Sequence, residues 1–428
     1  MKITRRSFSL GTAALTATAL TKIASPAIGQ TRLPNVTIWV QAGPEADALK
    51  AAADRYTAET GNPVTVGVQG RAGWRPRYET ALAAGSREFD GVLHITRFVP
   101  GLAAGGLLAP LDDYVAASPD WNVSDLPEII QREMKFNNRW YMAPTDITLE
   151  TLVYRSDLIA NPPATWEELR EVAKRFTQSI NAQSPTRYGY AAALGPGNVI
   201  GTWLGVMGSY GANIVDDRGC VVLDSPQAIA AWSLFAGLKN ADRVTPPDVT
   251  AWDYPELLVG LQNGTVAMAS FFTAGMPVLL DCAQSAQVCR GIRLSVQPAG
   301  PAGSRTRINP LGIMVNAASQ NKDATWAFVK WVTGPVGGRI YTQAGGQNPR
   351  TSILSDPAMA QGRPWTPEIL RASQAGVGTI RHAQAREIGE IFDRYTQQAV
   401  AAQISPEDSL RRAAAEMRRL LGNEAACR

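Results

Sequence analysis

Between Asn35 and Ile95 the chain alternates strand, helix, strand, helix, strand, and this alternation limits its possible folds more than any other feature. Asn35 to Val40 (NVTIWV) and Val64 to Val68 read as short strands. The intervening Ala46 to Glu59 reads as a helix with Leu49, Ala52, Ala53 and Tyr56 along one side. Gly61-Asn62-Pro63 ends it, because these residues interrupt a helical pattern. A helix from about Pro76 to Ala84 and a strand from Phe89 to Ile95 repeat the unit. Strand, helix and strand at this spacing form the parallel crossover of an α/β sheet. The fold class is therefore α/β.

A second stretch, Asn309 to Ser352, carries its own order of elements. Leu311 to Asn316 alternates enough to be a half-buried strand containing Gly312. A helix follows, whose Ala324, Ala327, Phe328 and Trp331 fall three and four apart and share one face. Gly334-Pro335 stops it, and a short helix, the Gly345-Gly346 turn and an Asn348-Pro349-Arg350 corner complete the stretch. Elsewhere, Thr165 to Gln178 is a helix with a Thr165/Glu168 capping box and a buried face of Leu169, Val172, Ala173 and Phe176. Ser225-Pro226 starts another, which buries Ala228, Trp232 and Phe235. The tail is helical from roughly Ala385 to Gln403, and again after the Ser405 cap.

With 428 residues the chain exceeds what one simple core serves, so two lobes are expected. Its formal charge of +4 comes from the N-terminus: residues 1–29 hold Lys2, Arg5, Arg6 and Lys22 and no acid, which leaves zero for the rest. A neutral remainder gives no electrostatic case for nucleic acid or an anionic membrane. Thr4-Arg5-Arg6-Ser7-Phe8 reads as a twin-arginine export motif, followed by a weakly apolar run from Leu10 to Leu20 and cleavage before Gln30. That run is short and threonine-rich against the roughly 20 apolar residues a membrane span needs. A soluble periplasmic chain follows. Cys282 and Cys289 are placed to close a small loop, whereas Cys220 and Cys427 are distant in sequence.

Catalytic and metal chemistry finds little support. The two histidines, His94 and His382, lie far apart, and no His/Cys/Asp group has metal-ligand spacing. Gly208-Ser209-Tyr210-Gly211 lacks the first glycine of a nucleophile elbow, and Gly195-Pro196-Gly197 with Gly201 misses the dinucleotide fingerprint by one residue. Only carboxylate pairs remain, Asp146 with Glu150 or Asp253 with Glu256, as a glycosidase would use. No cofactor is expected.

Phe89-Asp90-Gly91-Val92, the turn from Leu107 to Tyr114, and Trp140 to Pro144 followed by Leu152 to Leu158 (LVYRSDL) stand in a fixed order along the chain. Leu257 to Ser270 and the Asn309–Ser352 stretch complete a series running from about residue 36 to 355. Together these motifs resemble the family 1 extracellular solute-binding proteins of ABC importers. The resemblance implies a type II periplasmic-binding-protein-like fold, with two lobes, each a mixed sheet flanked by helices, joined by crossover segments. It places the signal at 1–29, an N-terminal lobe at 30–144 plus 274–331, and a C-terminal lobe at 145–273 plus 332–428. It also implies a monomer that captures a sugar or polyol and delivers it to ABC transporter permease subunits in the membrane.

The resemblance further points to ligand-contacting positions. Gln41 follows the first strand, Thr96 stands where relatives carry an acid, and Asp146 and Thr148 occupy the first crossover. Gly312 would show its backbone to the ligand, and Arg350 would sit on the opposite lobe after the final crossover. Two stacking tryptophans of the family are replaced, one by Leu311 and one with only Phe271 and Phe272 nearby. Trp203 and Trp252 are then the candidates for an aromatic face, while Trp232 and Trp331 belong to the core. A secreted carbohydrate-active enzyme and a binder of phosphorylated or cationic small molecules remain as alternatives.

Overall fold

The crossover units form where the sequence places them. The computed structural model describes residues 32–422 and 427, apart from 71, 196–198, 217, 362 and 364; the export motif lies outside these. Strand β1 (Val36–Gln41) leads into helix α1 (Pro44–Thr60), then β2 (Val64–Gln69), α2 (Trp74–Ala83) and β3 (Gly91–Ile95). β2 and β3 flank β1, all parallel. Gly61 ends α1 in the left-handed conformation, with φ of 73°, which glycine adopts without steric penalty.

β4 (Met142–Arg155) is then fourteen residues long and buried on both faces except at Arg155. After it come α3 (Trp166–Arg175), β5 (Tyr188–Ala192), α4 (Val199–Ser209), α5 (Pro226–Asn240), α6 (Tyr254–Gln262) and β6 (Val266–Phe272). At the start of α3 the Thr165 hydroxyl accepts from the Glu168 amide, and the Glu168 carboxylate accepts from the Ala164 amide, one residue earlier than the expected box. β7 (Ile292–Ser295) and β8 (Thr306–Val315) follow, then α7 (Lys322–Val332), α8 (Pro335–Gln343), α9 (Thr366–Gln374), the short β9 (Gly376–Val377), α10 (Ala385–Val400) and α11 (Pro406–Leu421).

One nine-stranded mixed sheet runs through the molecule in the order β2-β1-β3-β8-β4-β6-β5, with β9 beside β8 and β7 beside β4. The antiparallel pair β4 and β8 is its spine. Residues 311–315 pair with β3 on one edge and, through 311–314, with residues 142–146 on the other, whereas residues 150–155 pair with β6 and β7. The register slips between Leu311 and Gly312, so the strand bends between the two halves. One core gathers Ile38, Leu49, Trp121, Met314, Phe328 and Tyr341; the other gathers Trp166, Trp203, Trp232, Phe235 and Met417.

The lobes divide differently from the expected boundaries. Residues 292–302 contact second-lobe segments: β7 pairs with β4, and the Ala299 and Ala302 amides donate to the Ala164 and Ser209 carbonyls. The chain returns to the first lobe along β8. There α7 and α8 pack on α1, because their apolar faces complete its core, and the chain up to α9 remains on that side. The Trp331 helix therefore leads deeper into the first lobe. Only after β9 do α10 and α11 settle on α4 and α5. Both cysteine pairs are bonded, Cys282 to Cys289 and Cys220 to Cys427. No helix among the described residues is long and apolar enough to cross a membrane.

Candidate functional site

The carboxyl ends of β1 and β3 and the start of α1 face the end of β6 and the start of α6 across the crossover pair, which is where open α/β sheets take ligands. The cavity between them measures about 320 Å3. The first lobe contributes Gln41, Glu45, His94 and Ile95, the crossover strands Thr148, Asn309 and Leu311, and the second lobe Asp253, Tyr254 and Phe272.

An aromatic shelf forms its second-lobe wall. Tyr254 stacks on Phe271 with ring centroids 5.1 Å apart and lies tilted to Phe272 at 6.4 Å. Asp253 fixes Tyr254: its carboxylate accepts from the Tyr254 amide at 2.6 Å, and its own amide donates to Glu256. Asp253 and Glu256 are thus the capping box of α6, which accounts for that carboxylate pair. On the first-lobe wall His94 shares a hydrogen bond of 3.1 Å with the Tyr78 hydroxyl and stacks on Phe98. Burial, with Arg97 and Arg75 nearby, pushes its imidazole down to about 3, so the ring is neutral at physiological pH. On the floor, Thr148 donates to the Asn309 carbonyl at 3.3 Å, and the buried Asn309 Oδ1 has no hydrogen-bond partner. The cavity therefore offers an apolar ring face and unsatisfied polar groups together. Among the described residues no group of acidic, histidine or cysteine side chains is placed to hold a metal.

Residues 42–339 match the model of the bacterial extracellular solute-binding protein family. The chain belongs to this family. A protein of Sinorhizobium fredii named "Probable amino-acid ABC transporter periplasmic-binding protein y4oP" is 27% identical over 314 residues, covering 71% of this chain and 69% of that one. Among solved structures, maltose-bound T. maritima MalE3 superposes with a TM-score of 0.79 at 22% identity, covering 90% of this chain and 99% of that one. A ribitol complex of an ABC transporter solute-binding protein from Agrobacterium radiobacter K84 gives 0.78 at 22% identity, covering 91% and 99%. These likenesses establish the two-lobe type II fold.

In this solute-binding protein the residues singled out from sequence fall into four groups. Gln41 and Thr148 line the cleft. Thr96 and Phe271 stand directly behind it: Thr96 is buried with a hydroxyl that lacks a partner, and Phe271 backs Tyr254. Trp252 is half-buried against both cores and packs on Gly260.

The remaining four lie inside the protein. Trp203 is fully buried in the second-lobe core, stacked on Phe392 at 4.9 Å, because α4 is apolar nearly all round. Gly312 faces its neighbouring strand: a Cβ there would stand 2.4 Å from the Ala143 carbonyl, so the missing side chain serves strand packing. Asp146 turns away from the cleft, and its Oδ2 accepts from the Gln347 amide at 2.8 Å. Arg350 lies in the first lobe rather than the second, fully buried, donating to the carbonyls of Thr333, Asn122 and Trp121 and pairing with Asp125.

Glu150, the partner imagined for Asp146 in a glycosidase pair, instead faces Arg307 at 3.6 Å. Sequence reasoning missed His94, Tyr254 and Asn309. For two of them the available signal was positional: His94 lies near the end of β3 and Tyr254 at the start of α6, ends that the α/β alternation points toward the cleft, whereas Asn309 lies within β8.

Proposed function

We propose that this protein captures a carbohydrate or polyol between its lobes in the periplasm and delivers it to ABC permease subunits. The observation that carries the reading is the pairing of an aromatic shelf, Tyr254 and Phe272, with the polar groups of Gln41, Thr148 and Asn309 across one cavity. A sugar or polyol has apolar C–H faces and hydroxyls that both donate and accept, so it satisfies both walls at once. The maltose and ribitol bound by the two structural neighbours support the same class. A cavity of about 320 Å3 suits a monosaccharide or short polyol better than a long oligosaccharide. Thr4-Arg5-Arg6-Ser7-Phe8 supports export by the twin-arginine route.

Binding would close the lobes about the crossover segments β4 and β8 and the segment around β9. The test is a thermal-shift screen of sugars and polyols on the purified protein, followed by small-angle scattering. A true ligand at about a hundred times its Kd adds about 2.7 kcal/mol to stability and compacts the molecule. No melting shift and no compaction across the panel would refute the reading.

A further inference from the structure

One edge of the cleft is cationic, and its hydrogen-bond donors are not spoken for. Arg97 lies in the turn directly after β3, and Arg75 at the start of α2. Their guanidinium carbons each stand 5.2 Å from the centroid of Phe98, whose ring stacks on the cavity-lining His94 with centroids 5.1 Å apart. Across the cleft, Arg307 lies 5.6 Å from the ring of the cavity-lining Phe272. Its guanidinium also rests against α4, since a Cβ on Gly201 would stand 2.5 Å from Arg307 Nη1. Arginines thus stand behind both walls, against the rings of Phe98 and Phe272.

The nearby acids compensate Arg307 but not Arg75 and Arg97. Glu150 holds Arg307 in a buried ion pair at 3.6 Å, although Arg307 Nε itself keeps no hydrogen-bond partner. Asp393 lies near Arg97, and Glu79 near Arg75, where it is shared with Arg386. Among the described residues neither Arg75 nor Arg97 makes a hydrogen bond or an ion pair within 4 Å, and the Thr96 hydroxyl beside Arg97 is likewise unpartnered. Burial, then Arg307 and Arg75, push the Arg97 guanidinium down to about 10. Like charges crowd there. Guanidinium is the side chain best shaped for two-point contact with a planar or tetrahedral oxyanion.

We propose that the ligand bears an anionic head group, a carboxylate or phosphate on a polyhydroxylated body, seated against Arg75 and Arg97, with Arg307 and its partner Glu150 behind the opposite wall. Its hydroxylated body would lie over Tyr254 and Phe272, away from Glu45. This rests on the reading of the cleft as a sugar or polyol site and narrows it to sugar acids or sugar phosphates.

The test is calorimetric titration of the mature protein with matched compounds: D-glucitol, D-gluconate and D-glucitol 6-phosphate, and D-galactose with D-galacturonate. At least one anionic member should bind about tenfold or more tightly than its neutral counterpart, and Arg97→Met should weaken it about ten- to a hundredfold. The neutral compound should be little affected by that change, and added salt should weaken only the anion. The carboxylate and phosphate arms tell the two head groups apart. Arg75→Met serves as a second variant should Arg97→Met fail to fold. Neutral compounds binding as tightly as the anions, with indifference to both substitutions, would overturn the anionic head group and leave the sugar-binding reading standing. Binding of none of these compounds, and of nothing in the sugar and polyol panel, would overturn both.

Discussion

Arg350→Met separates a structural arginine from a ligand-binding one. The side chain is fully buried, with Nε donating to the Thr333 carbonyl at 2.7 Å and the two Nη atoms to the carbonyls of Asn122 at 3.0 Å and Trp121 at 2.6 Å. It thereby ties the end of α7 to the turns at 119–125 and to the Asn348-Pro349-Arg350 corner. Asp125, its ion-pair partner, also accepts from the Ser352 amide and hydroxyl, so that carboxylate keeps two donors after the substitution. The three carbonyls bear the loss. Methionine retains most of the aliphatic packing, so the cost is mainly that of breaking a buried, hydrogen-bonded charge, about 3–5 kcal/mol. At roughly 2–4 °C per kcal/mol for a domain of this size, the melting temperature should fall on the order of 10 °C. The assay pairs thermal unfolding with ligand titration at a temperature where the variant is folded. A large loss of stability with Kd within about twofold fits an internal brace. An unchanged melting temperature with abolished binding would refute it and restore the cleft role the sequence suggested.

Three further outcomes are expected. Burial, and then the nearby Glu45, push the Asp146 carboxyl up to about 8 against the opposing Gln347 amide, Tyr341 and Arg363. The fold thus holds a proton that the unfolded chain releases near pH 4, so stability should fall as pH rises from about 4 to about 8 and level off above. Asp146→Asn should flatten that part of the melting profile, and an unchanged slope would exclude Asp146 as its source. Gly312→Ala drives a Cβ to 2.4 Å from the Ala143 carbonyl and 2.6 Å from Met142 Cγ, so it should destabilise by about 1–3 kcal/mol in denaturant titration; a neutral result would show that the strands separate freely there. The Cys220–Cys427 bridge spans 207 residues against 7 for Cys282–Cys289. Cys220→Ser should therefore lower stability by about 2–4 kcal/mol and by more than Cys282→Ser, an order that unfolding under matched oxidising conditions checks directly.

Local patterns in the sequence settled the elements and the architecture. The period of Leu49, Ala52, Ala53 and Tyr56 made α1 a helix buried on one face, and the turn residues at 61–63 ended it. Ser225 and Ser405 marked helix starts that the structure caps through the Ala228 and Asp408 amides. These signals act over a few residues, so they survive without knowledge of the fold. Side-chain destinations do not. Trp203 and Trp252 occupy similar glycine- and proline-rich surroundings, yet one is sealed against Phe392 and the other lies half-buried between the cores. Arg350 met two carbonyls, of Trp121 and Asn122, more than two hundred positions earlier, a contact no local pattern encodes. Likewise His94, Tyr254 and Asn309 share one cavity only because the crossover strands β4 and β8 bring the end of β3 and the start of α6 to opposite sides of it. The sequence determined the family and the sheet; burial and long-range hydrogen bonding decided which polar and aromatic side chains were left to face a ligand.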